Sequence, residues 1–360
     1  MIIETIKAAN YRSFNLFNLH LNPGLNLFYG ENGAGKSTIL ESIQQNLTGK
    51  SFRSNNIDQI IQKGYKKFQV KTIFQGNSFV SSQKTENNKL IYQSSTNNSP
   101  TIKEILLEFP SCMLESTDFF FNTAEPEKKR NYLNKVLFYV EHSYTDTLKE
   151  LKKVHKQRNY ALKRGLKDEI KLWSNRLCDI EPSITELNQA IIEKLNTKLA
   201  NSKLTELFYN KNRWIGGIFL KYDNGFDNKK SLNQVLHDGL PLDMLLKRTN
   251  YGPHKRKFTI HNKEDNISTF LSRGQQKLLS IILHVLQKEI IDEHTNKSSL
   301  LLLDDISSEL DSDNLKLMLK YLEENTQQTL MTSITNTVFT EFKNITMFHV
   351  EQSEGVSNVR

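Results

Sequence analysis

A glycine-rich segment near the N-terminus has residue types and spacing suited to phosphate binding. GENGAGKST matches G-x-x-x-x-G-K-[ST], with Gly30, Gly35, Lys36 and Ser37 at the fixed positions. Backbone N–H groups of such a loop, and of the helix that follows it, provide fixed positive dipoles for phosphate oxygens. We expect Lys36 to contact the outer phosphates and the Ser37 hydroxyl to bind Mg²⁺. The other loop residues expected to contact the nucleotide are Glu31, Asn32, Gly33, Ala34 and Thr38.

The residues on either side of this loop supply the elements that must position it. The preceding GLNLFYG alternates as a short strand does, after a turn at Asn22-Pro23-Gly24. In the following STILESIQQNL, apolar residues recur at helical spacing. The segment therefore lies between a strand and a helix, which is the context that a P-loop requires.

A pair of acidic residues supplies a second candidate site. Asp304 and Asp305 directly follow the apolar run Leu300–Leu303, which is typical of a parallel strand buried on both faces. Ligands bind at the carboxyl ends of such strands. We expect Asp304 to hold Mg²⁺ beside Ser37, and Asp305 to orient or deprotonate the attacking water. An acidic pair after leucines is not specific by itself, but the P-loop upstream makes it the expected partner.

A third segment, FLSRGQQKLLS, carries Ser272, Gly274 and Gln275 at the predicted start of a helix. Ser272 and Gln275 fit an S-x-x-Q capping box, so an ordinary helix cap is one interpretation. The order along the chain favours a second one. P-loop, Ser-x-Gly-Gln helix start and acidic strand end follow one another as they do in ABC ATPases.

Composition limits the class of protein. The chain has 360 residues, a formal net charge of +8, and two cysteines, Cys112 and Cys178. With no CxxC pair and no His/Cys cluster, the sequence predicts neither a disulfide framework nor a zinc site. No run approaches the roughly 18 apolar residues of a membrane span, and the N-terminus has no signal-peptide hydrophobic region. We expect a cytoplasmic protein without a membrane partner, whose positive charge is compatible with a polyanionic ligand.

Changes in periodicity along the chain predict two lobes. Residues 51–100 predict a small antiparallel sheet, and residues 148–177 and 183–199 carry apolar positions at helical intervals. After residue 203 short strands and helices return. We therefore expect a discontinuous head, 1–108 and 204–360, and a helical lobe, 109–203, that contacts DNA or a partner.

The chain resembles the RecF family of DNA repair ATPases within the ABC superfamily. The resemblance is carried by NYRSFNLFNLHLNPGLNLFYGENGAGKST, KKRNYLN, HKQRNYAL, YGPHK, LSRGQQK and LLLLDDISSELD, and spans nearly the whole chain. It implies an α/β fold, an ABC/SMC-type P-loop ATPase head with a smaller helical second lobe. It further implies ATP-dependent homodimerisation on double-stranded DNA, weak DNA-stimulated ATP hydrolysis, and action with RecO and RecR at gapped DNA.

The same resemblance assigns roles to particular residues. Ser272, Gly274 and Gln275 would cap the γ-phosphate of a nucleotide bound to the opposite subunit. Arg12, in the NYRSF turn, resembles a residue that contacts the nucleotide, and Thr332 stands where a switch residue is expected. By spacing, Cys112 falls where the family carries the Gln of its Q-loop.

The predicted helical lobe contains a dense group of cations that could contact DNA phosphates. These are Lys149, Lys152, Lys153, Lys156, Arg158, Lys163, Arg164 and Lys167. An ordinary solvated helix face is the alternative. Contacts of this kind would be independent of DNA sequence. Two other classes of function are disfavoured. A transporter ATPase requires a membrane partner, and its head normally lacks a helical insert of this length between the P-loop and the signature. A chromosome-organising or overcoming-lysogeny-type ATPase, possibly with nuclease activity, would need a separate acidic metal cluster downstream, which the sequence does not show.

Overall fold

The chain forms two compact units. The computed structural model describes residues 1–54, 56–84, 89–116, 126–263, 265–267 and 270–360. The first unit comprises Met1–Asp118 and Arg273–Arg360, and the second comprises Phe119–Ser272. Among the helices of the described ranges, none combines the length and apolar character needed to cross a membrane.

Both units contain strands and helices. The strands are β1 (Ile3–Tyr11), β2 (Phe14–His20), β3 (Gly24–Tyr29), β4 (Gln69–Phe74), β5 (Phe79–Lys84), β6 (Leu90–Ser94), β7 (Ser111–Leu114), β8 (Ile218–Asp223), β9 (Lys257–Asn262), β10 (Asp265–Asn266), β11 (Leu300–Leu303), β12 (Gln328–Ser333), β13 (Ile345–Ser353) and β14 (Val356–Val359). The helices are α1 (Lys36–Thr48), α2 (Ile102–Glu108), α3 (Pro126–Val140), α4 (Tyr144–Arg164), α5 (Lys167–Asn201), α6 (Lys203–Tyr209), α7 (Leu232–Asp238), α8 (Leu240–Leu246), α9 (Arg273–Thr295) and α10 (Ser312–Asn325).

The first unit contains an antiparallel sheet and a mostly parallel one. The antiparallel sheet has the order β2-β1-β4-β5-β6, so the sheet predicted for residues 51–100 is confirmed. The second sheet has the order β14-β13-β3-β12-β11-β7, in which only the β13–β14 pair is antiparallel. All four leucines of β11 are buried, as expected for a parallel strand covered on both faces.

Helix α1 lies in the core of the first unit and carries the end of the P-loop. It contacts strands of both sheets, and Ile39, Leu40, Ile43 and Leu47 are fully buried. Its buried polar residues bond to the antiparallel sheet. For example, the Asn46 amide donates to the Thr72 hydroxyl and the Val80 carbonyl. Because buried polar groups need such partners, these bonds fix the orientation of α1 and therefore of Ser37 at its first turn.

The second unit packs α3 to α8 around the three-stranded sheet β10-β9-β8. Helix α4 ends at Arg164 and is capped by Gly165, whose left-handed φ of 69° allows its N–H to bond the carbonyls of Ala161 and Leu162. The next helix, α5, continues through Pro182. The two helical runs of the sequence are therefore divided at Gly165 and not near residue 183.

The division between the units differs from the expected one. Residues 204–272 were expected in the head, but the structure groups them with the helical residues of the second unit. The reason is a long-range contact. Strand β8 packs on α5, where the Asn196 side chain bonds both the N–H and the carbonyl of Leu220. The apolar alternation of β8 does not reveal which element it packs against.

Candidate nucleotide-binding site

The P-loop connects β3 to α1. At two of its positions, Gly30 and Gly35, a residue other than glycine would force a backbone shift. Gly30 has a φ of 148° and lies against the Val350 carbonyl, where a Cβ atom would collide. Gly35 has a φ of 112°, and a Cβ there would lie 2.7 Å from the Ser357 Oγ. Only glycine fits both restrictions. The C-terminal strands β13 and β14 therefore cover the loop closely.

Lys36 lies within the loop and close to the acidic strand end. Its Nζ donates to the carbonyls of Gly30 and Glu31, each at 2.7 Å. Burial lowers the pKa of Lys36, while the nearby charges of Asp305 and Asp304 act to raise it. The ammonium group is thus positioned between the loop backbone and two carboxylates, as expected for a residue that contacts outer phosphates.

A chain of hydrogen bonds connects the P-loop to the acidic strand end and to the neighbouring strand. The hydroxyls of Ser37 and Thr332 both donate to the Oδ1 of Asp304, each at 2.7 Å. The backbone N–H of Asp305 donates to the Thr332 hydroxyl, also at 2.7 Å. The structure thus brings together Ser37, Asp304 and Asp305, although Ser37 is far from the acidic pair in sequence.

Asp305 has two unusual properties. Its φ of 52° is left-handed, a conformation that costs a non-glycine residue about 1 kcal/mol. Its Oδ1 is buried, and no group in the described ranges forms a hydrogen bond with it. A buried acceptor without a partner is rare and marks a candidate functional atom. This oxygen can therefore accept a hydrogen bond from a ligand or a water molecule.

Arg12 lies in the β1–β2 turn and forms a buried ion pair with Glu41 of α1. Its Nε and terminal nitrogen donate to the two oxygens of Glu41 at 2.9 and 2.5 Å, and a further nitrogen donates to the Gln59 carbonyl at 2.9 Å. Burial acts to lower the pKa of Arg12, but the bond and charge of Glu41 outweigh it, so the pKa is raised. Arg53 lies alongside and donates to the Thr38 hydroxyl at 3.2 Å.

These elements surround a cavity of about 440 Å³. Its lining includes five of the residues expected from the sequence, namely Arg12, Gly33, Gly35, Ser37 and Thr38. Glu31 and Asn32 are exposed in the same loop, and Ala34 is buried beneath it. The sequence interpretation did not include the remaining lining residues, which are Ser13, Arg53, Gln59, Ile61, Gln352 and Gly355. No local motif distinguishes them, because they come from a turn, a loop and the C-terminal hairpin.

The signature-like residues lie at the start of α9. Ser272 is exposed and immediately precedes the helix, which begins at Arg273. A Cβ at Gly274 would lie 2.5 Å from the Glu309 carbonyl, so this glycine allows α9 to pack on the segment after β11. In the part of the chain that the structure describes, Gly274 and Gln275 do not line the P-loop cavity.

Cys112 does not occupy a loop position, and its assignment to the Q-loop is wrong. It lies within β7, is fully buried, and pairs in register with Leu301 of β11. A strand residue packed in the core has no access to a ligand. After β7 the structure describes Glu115 and Ser116, and residues 117–125 lie outside the described residues. Spacing along the sequence therefore assigns to a loop a residue that belongs to a buried strand.

Comparison with known proteins gives a family for this arrangement. Residues 2–357 match the model of the RecF/RecN/SMC N-terminal domain. The chain belongs to this family. The DNA replication and repair protein RecF of Pseudoalteromonas translucida is 29% identical over 98% of both chains, and that of Shewanella halifaxensis is 27% identical over 98% of this chain and 97% of its own.

Solved structures support the same fold for this member of the RecF/RecN/SMC family. The recombination mediator protein RecF in its ATP form superimposes with a TM-score of 0.80 at 23% identity, covering 100% of this chain and 97% of its own. The SMC head domain of Pyrococcus furiosus gives 0.58 at 16% identity, covering 100% and 96%. The predicted fold class, an α/β head of the ABC/SMC type, is confirmed.

Proposed function

We propose that this chain binds ATP with Mg²⁺ in the P-loop cavity and hydrolyses it slowly, as a switch for binding double-stranded DNA in recombinational repair. The observation that carries the proposal is the hydrogen-bonded chain from Ser37 through Asp304 to Thr332. The similar proteins support it, because one solved relative is RecF with ATP and the curated relatives are DNA replication and repair proteins.

The residues present fit both ATP and Mg²⁺. The glycines Gly33 and Gly35 expose backbone to a cavity that also receives the first turn of α1, and helix N-termini of this kind bind phosphate. The Ser37 hydroxyl and the Asp304 carboxylate are oxygen ligands of the type Mg²⁺ prefers. Bound there, Mg²⁺ would neutralise charge on the outer phosphates.

Three groups would act in hydrolysis. Lys36 would contact the outer phosphates from its place in the loop. The Asp305 carboxylate, with its free Oδ1, would orient or deprotonate the attacking water. Arg12 would hold one wall of the cavity through Glu41 and carry a positive charge toward the nucleotide. Because Asp305 acts on water and not on ATP itself, its removal should separate nucleotide binding from turnover.

The position of the signature-like residues supports the proposal that two copies dimerise. Within the described ranges, Gly274 and Gln275 lie outside the cavity of their own chain, and together with Ser272 they would complete the site of a second copy. ATP would then hold two heads together, and hydrolysis would release them. Each of the two sites would then combine the P-loop of one copy with the signature-like residues of the other copy.

Helix α4 supplies a surface for the DNA phosphates, which we name the basic stripe. It consists of Lys149, Lys152, Lys153, Lys156, Lys163 and Arg164, all exposed or partly exposed. At 100° per residue these positions fall within about 120° of the helix circumference and extend for about 22 Å. Duplex DNA carries about one charge per 1.7 Å, so the stripe could contact several phosphates.

Two of the cations that the sequence analysis grouped as candidate DNA contacts lie outside the basic stripe. Arg158 is fully buried and forms an ion pair with Asp243 at 2.7 Å, so it cannot reach DNA. Lys167 is exposed but begins α5, beyond the turn at Gly165. An exposed aromatic ring, Tyr160, lies among the stripe residues with the Arg164 guanidinium 5.1 Å above it.

The cellular role we propose is loading of recombinase at gapped DNA or stalled forks, together with RecO and RecR. A solved relative is described as part of the RecFOR pathway, which supports these two partners. The weak, DNA-stimulated character of the ATPase belongs to the same proposal. A switch of this kind needs hydrolysis that is slow compared with DNA binding.

The first experiment compares nucleotide states in a variant that retains ATP. Fluorescently labelled duplex DNA is titrated with Asp305→Asn at fixed salt, in Mg-ATP and in Mg-ADP, and anisotropy is measured. Asn keeps the size of the side chain but cannot deprotonate water, so we expect much tighter DNA binding with ATP. Equal affinity in both nucleotides would exclude an ATP-gated DNA clamp.

The second experiment tests the basic stripe with a matched pair of variants. Lys152→Ala with Lys156→Ala removes two stripe charges, and Lys316→Ala with Lys320→Ala removes two charges from α10 in the first unit. We expect the first pair to weaken duplex binding and to reduce the slope of log K against log salt by about 0.9 for each DNA phosphate that the variant no longer neutralises. The same slope in both pairs would show that α4 does not contact DNA.

A further inference from the structure

The C-terminal hairpin of β13 and β14 contributes one side chain to the P-loop cavity, that of Gln352. This residue lies outside the P-loop, the signature-like segment and the acidic strand end. We propose that this residue, Gln352, recognises the base of the bound nucleotide and selects adenine. The proposal rests on the nucleotide-binding function proposed above and adds a specificity-determining residue to it. It depends on the geometry of the hairpin.

The hairpin is held firmly against the P-loop. Strand β13 pairs in parallel with β3, with His349 opposite Tyr29, which places Val350 against Gly30. On β14, the Ser357 N–H donates to the Ser13 carbonyl at 2.9 Å, and its hydroxyl donates to the Ser13 hydroxyl at 2.7 Å. The hairpin is therefore a fixed wall of the cavity.

Register places Gln352 on the face of the hairpin that is turned toward the P-loop. Gln352 lies directly opposite Ser357 in the antiparallel pair, and directly opposed residues project from the same face of a sheet. Ser357 is packed against Gly35. Gln352 itself is exposed and lines the cavity together with Gly355. Its neighbours Glu351 and Asn358 are paired on the other face.

The turn also fits this role. Glu354 and Gly355 both have positive φ, 52° and 81°, which gives a two-residue hairpin turn. Nothing in the described part of the chain lies within 4 Å of a Cβ built on Gly355. Gly355 therefore brings no side chain into the cavity that it lines together with Gln352.

The chemistry of a carboxamide suits adenine. Gln presents one acceptor and two donors in a plane, and it pairs with adenine through the N6 amino donor and the N7 acceptor. Guanine carries an acceptor, O6, in place of the amino group, so the same pair of bonds cannot form. Of the two residues that the hairpin contributes to the cavity lining, Gln352 and Gly355, Gln352 is the one that carries this donor and acceptor pattern.

The test compares Gln352→Ala with Asn358→Ala, two variants that each remove an exposed carboxamide from one face of the same hairpin. Binding of Mg-ATPγS and Mg-GTPγS to the full chain is measured by calorimetry. Loss of two neutral hydrogen bonds predicts a fall of about 5- to 150-fold in the affinity for ATPγS, which corresponds to about 1–3 kcal/mol. We expect Gln352→Ala to lose this affinity while binding of GTPγS is unchanged, and Asn358→Ala to behave as the natural chain does.

Each outcome separates this inference from the proposed function. If the natural chain binds neither nucleotide, the nucleotide-binding proposal fails. If it binds ATPγS and Gln352→Ala leaves the ratio of the two affinities unchanged, only base recognition by Gln352 is overturned. Gln352→Met, which keeps the length of the side chain without its hydrogen bonds, should reproduce the alanine result, and a normal ratio in that variant would also contradict the inference.

Discussion

The ion pair between Arg12 and Glu41 allows a stability prediction that can be worked from the structure. The Glu41 side chain is fully buried, and the Arg12 side chain is 19% exposed. Arg12→Met keeps much of the apolar stem but removes the charge. The carboxylate of Glu41 then stays buried with the Ser51 hydroxyl at 2.5 Å and with Arg53 at 3.9 Å.

The size of the effect follows from these remaining partners. Removing one member of a buried ion pair costs about 3–5 kcal/mol, because it leaves an uncompensated charge in the interior. Since Ser51 still donates to Glu41 and Arg53 is near, we expect a value at the lower end, about 3 kcal/mol. In Arg12→Met with Glu41→Met no charge remains to be desolvated, so this double variant should recover at least half of the loss.

The assay must report on the first unit. Both tryptophans, Trp173 and Trp214, lie in the second unit, so their fluorescence does not follow unfolding of the P-loop region. Native-state hydrogen exchange of peptides covering α1 measures the opening free energy directly. Arg176→Met is the control, and its opening free energy is measured in the same way with peptides covering α5, the helix that carries Arg176. Its ion pair with Glu150 is about half exposed and should contribute less than about 1 kcal/mol. Equal effects of Arg12→Met and Arg176→Met, or a double variant no more stable than the single one, would refute the reasoning.

Two further predictions concern other sites. Thr332→Val removes the hydroxyl that bonds Asp304 and the Asp305 N–H. We expect the rate of single-turnover hydrolysis to fall about 10- to 100-fold because these groups are misplaced, while ATP affinity changes little and Thr332→Ser restores the rate. A parallel loss of ATP affinity would contradict a positioning role. Burial, together with the charge of Lys257, lowers the pKa of Lys129 to about 8 from 10.5, so the charged form destabilises the fold below pH 8 and this cost disappears as the pH rises toward 10.5. Lys129→Met should therefore raise the thermal midpoint at pH 7, measured by tryptophan fluorescence, and a gain that does not shrink between pH 8 and 10.5 would exclude this cause.

The parts of the site that could be predicted from sequence are those encoded by local motifs. The P-loop combines a fixed spacing with strand and helix flanks, and the acidic pair follows an unmistakably buried strand. Both depend on a few consecutive residues, and the structure brings Ser37 and Asp304 within 2.7 Å of each other. Arg12 could be found only through the family resemblance, and its partner Glu41 has no sequence signal because it is one of several polar residues on a buried helix face.

The parts that could not be predicted depend on contacts between distant segments. Spacing alone placed Cys112 in a loop, because it cannot distinguish a strand end from the loop after it. Charge density alone included Arg158 among DNA-contacting residues, because burial of an arginine requires a partner, Asp243, that lies 85 residues away. The role of the C-terminal hairpin likewise depends on the pairing of β13 with β3, which brings residues 350–357 to the P-loop from the other end of the chain.

Register in the parallel sheet explains why Thr332, and no neighbouring residue, connects the two acidic positions. Leu303 of β11 pairs with Met331 of β12, so the next residues along each strand, Asp304 and Thr332, lie side by side where the strands end. A shift of one residue would turn the adjacent side chain to that position, and Ser333 is instead bonded to Ser307. Ser37 and Thr332 both donate to the same oxygen of Asp304. We therefore expect a metal that binds Ser37 to change the hydrogen bond of Thr332 to Asp304, and with it the position of the Asp305 backbone. The strand register thus connects Asp304, which we propose binds Mg²⁺, to Asp305, which we propose acts on water, through the hydroxyl of Thr332.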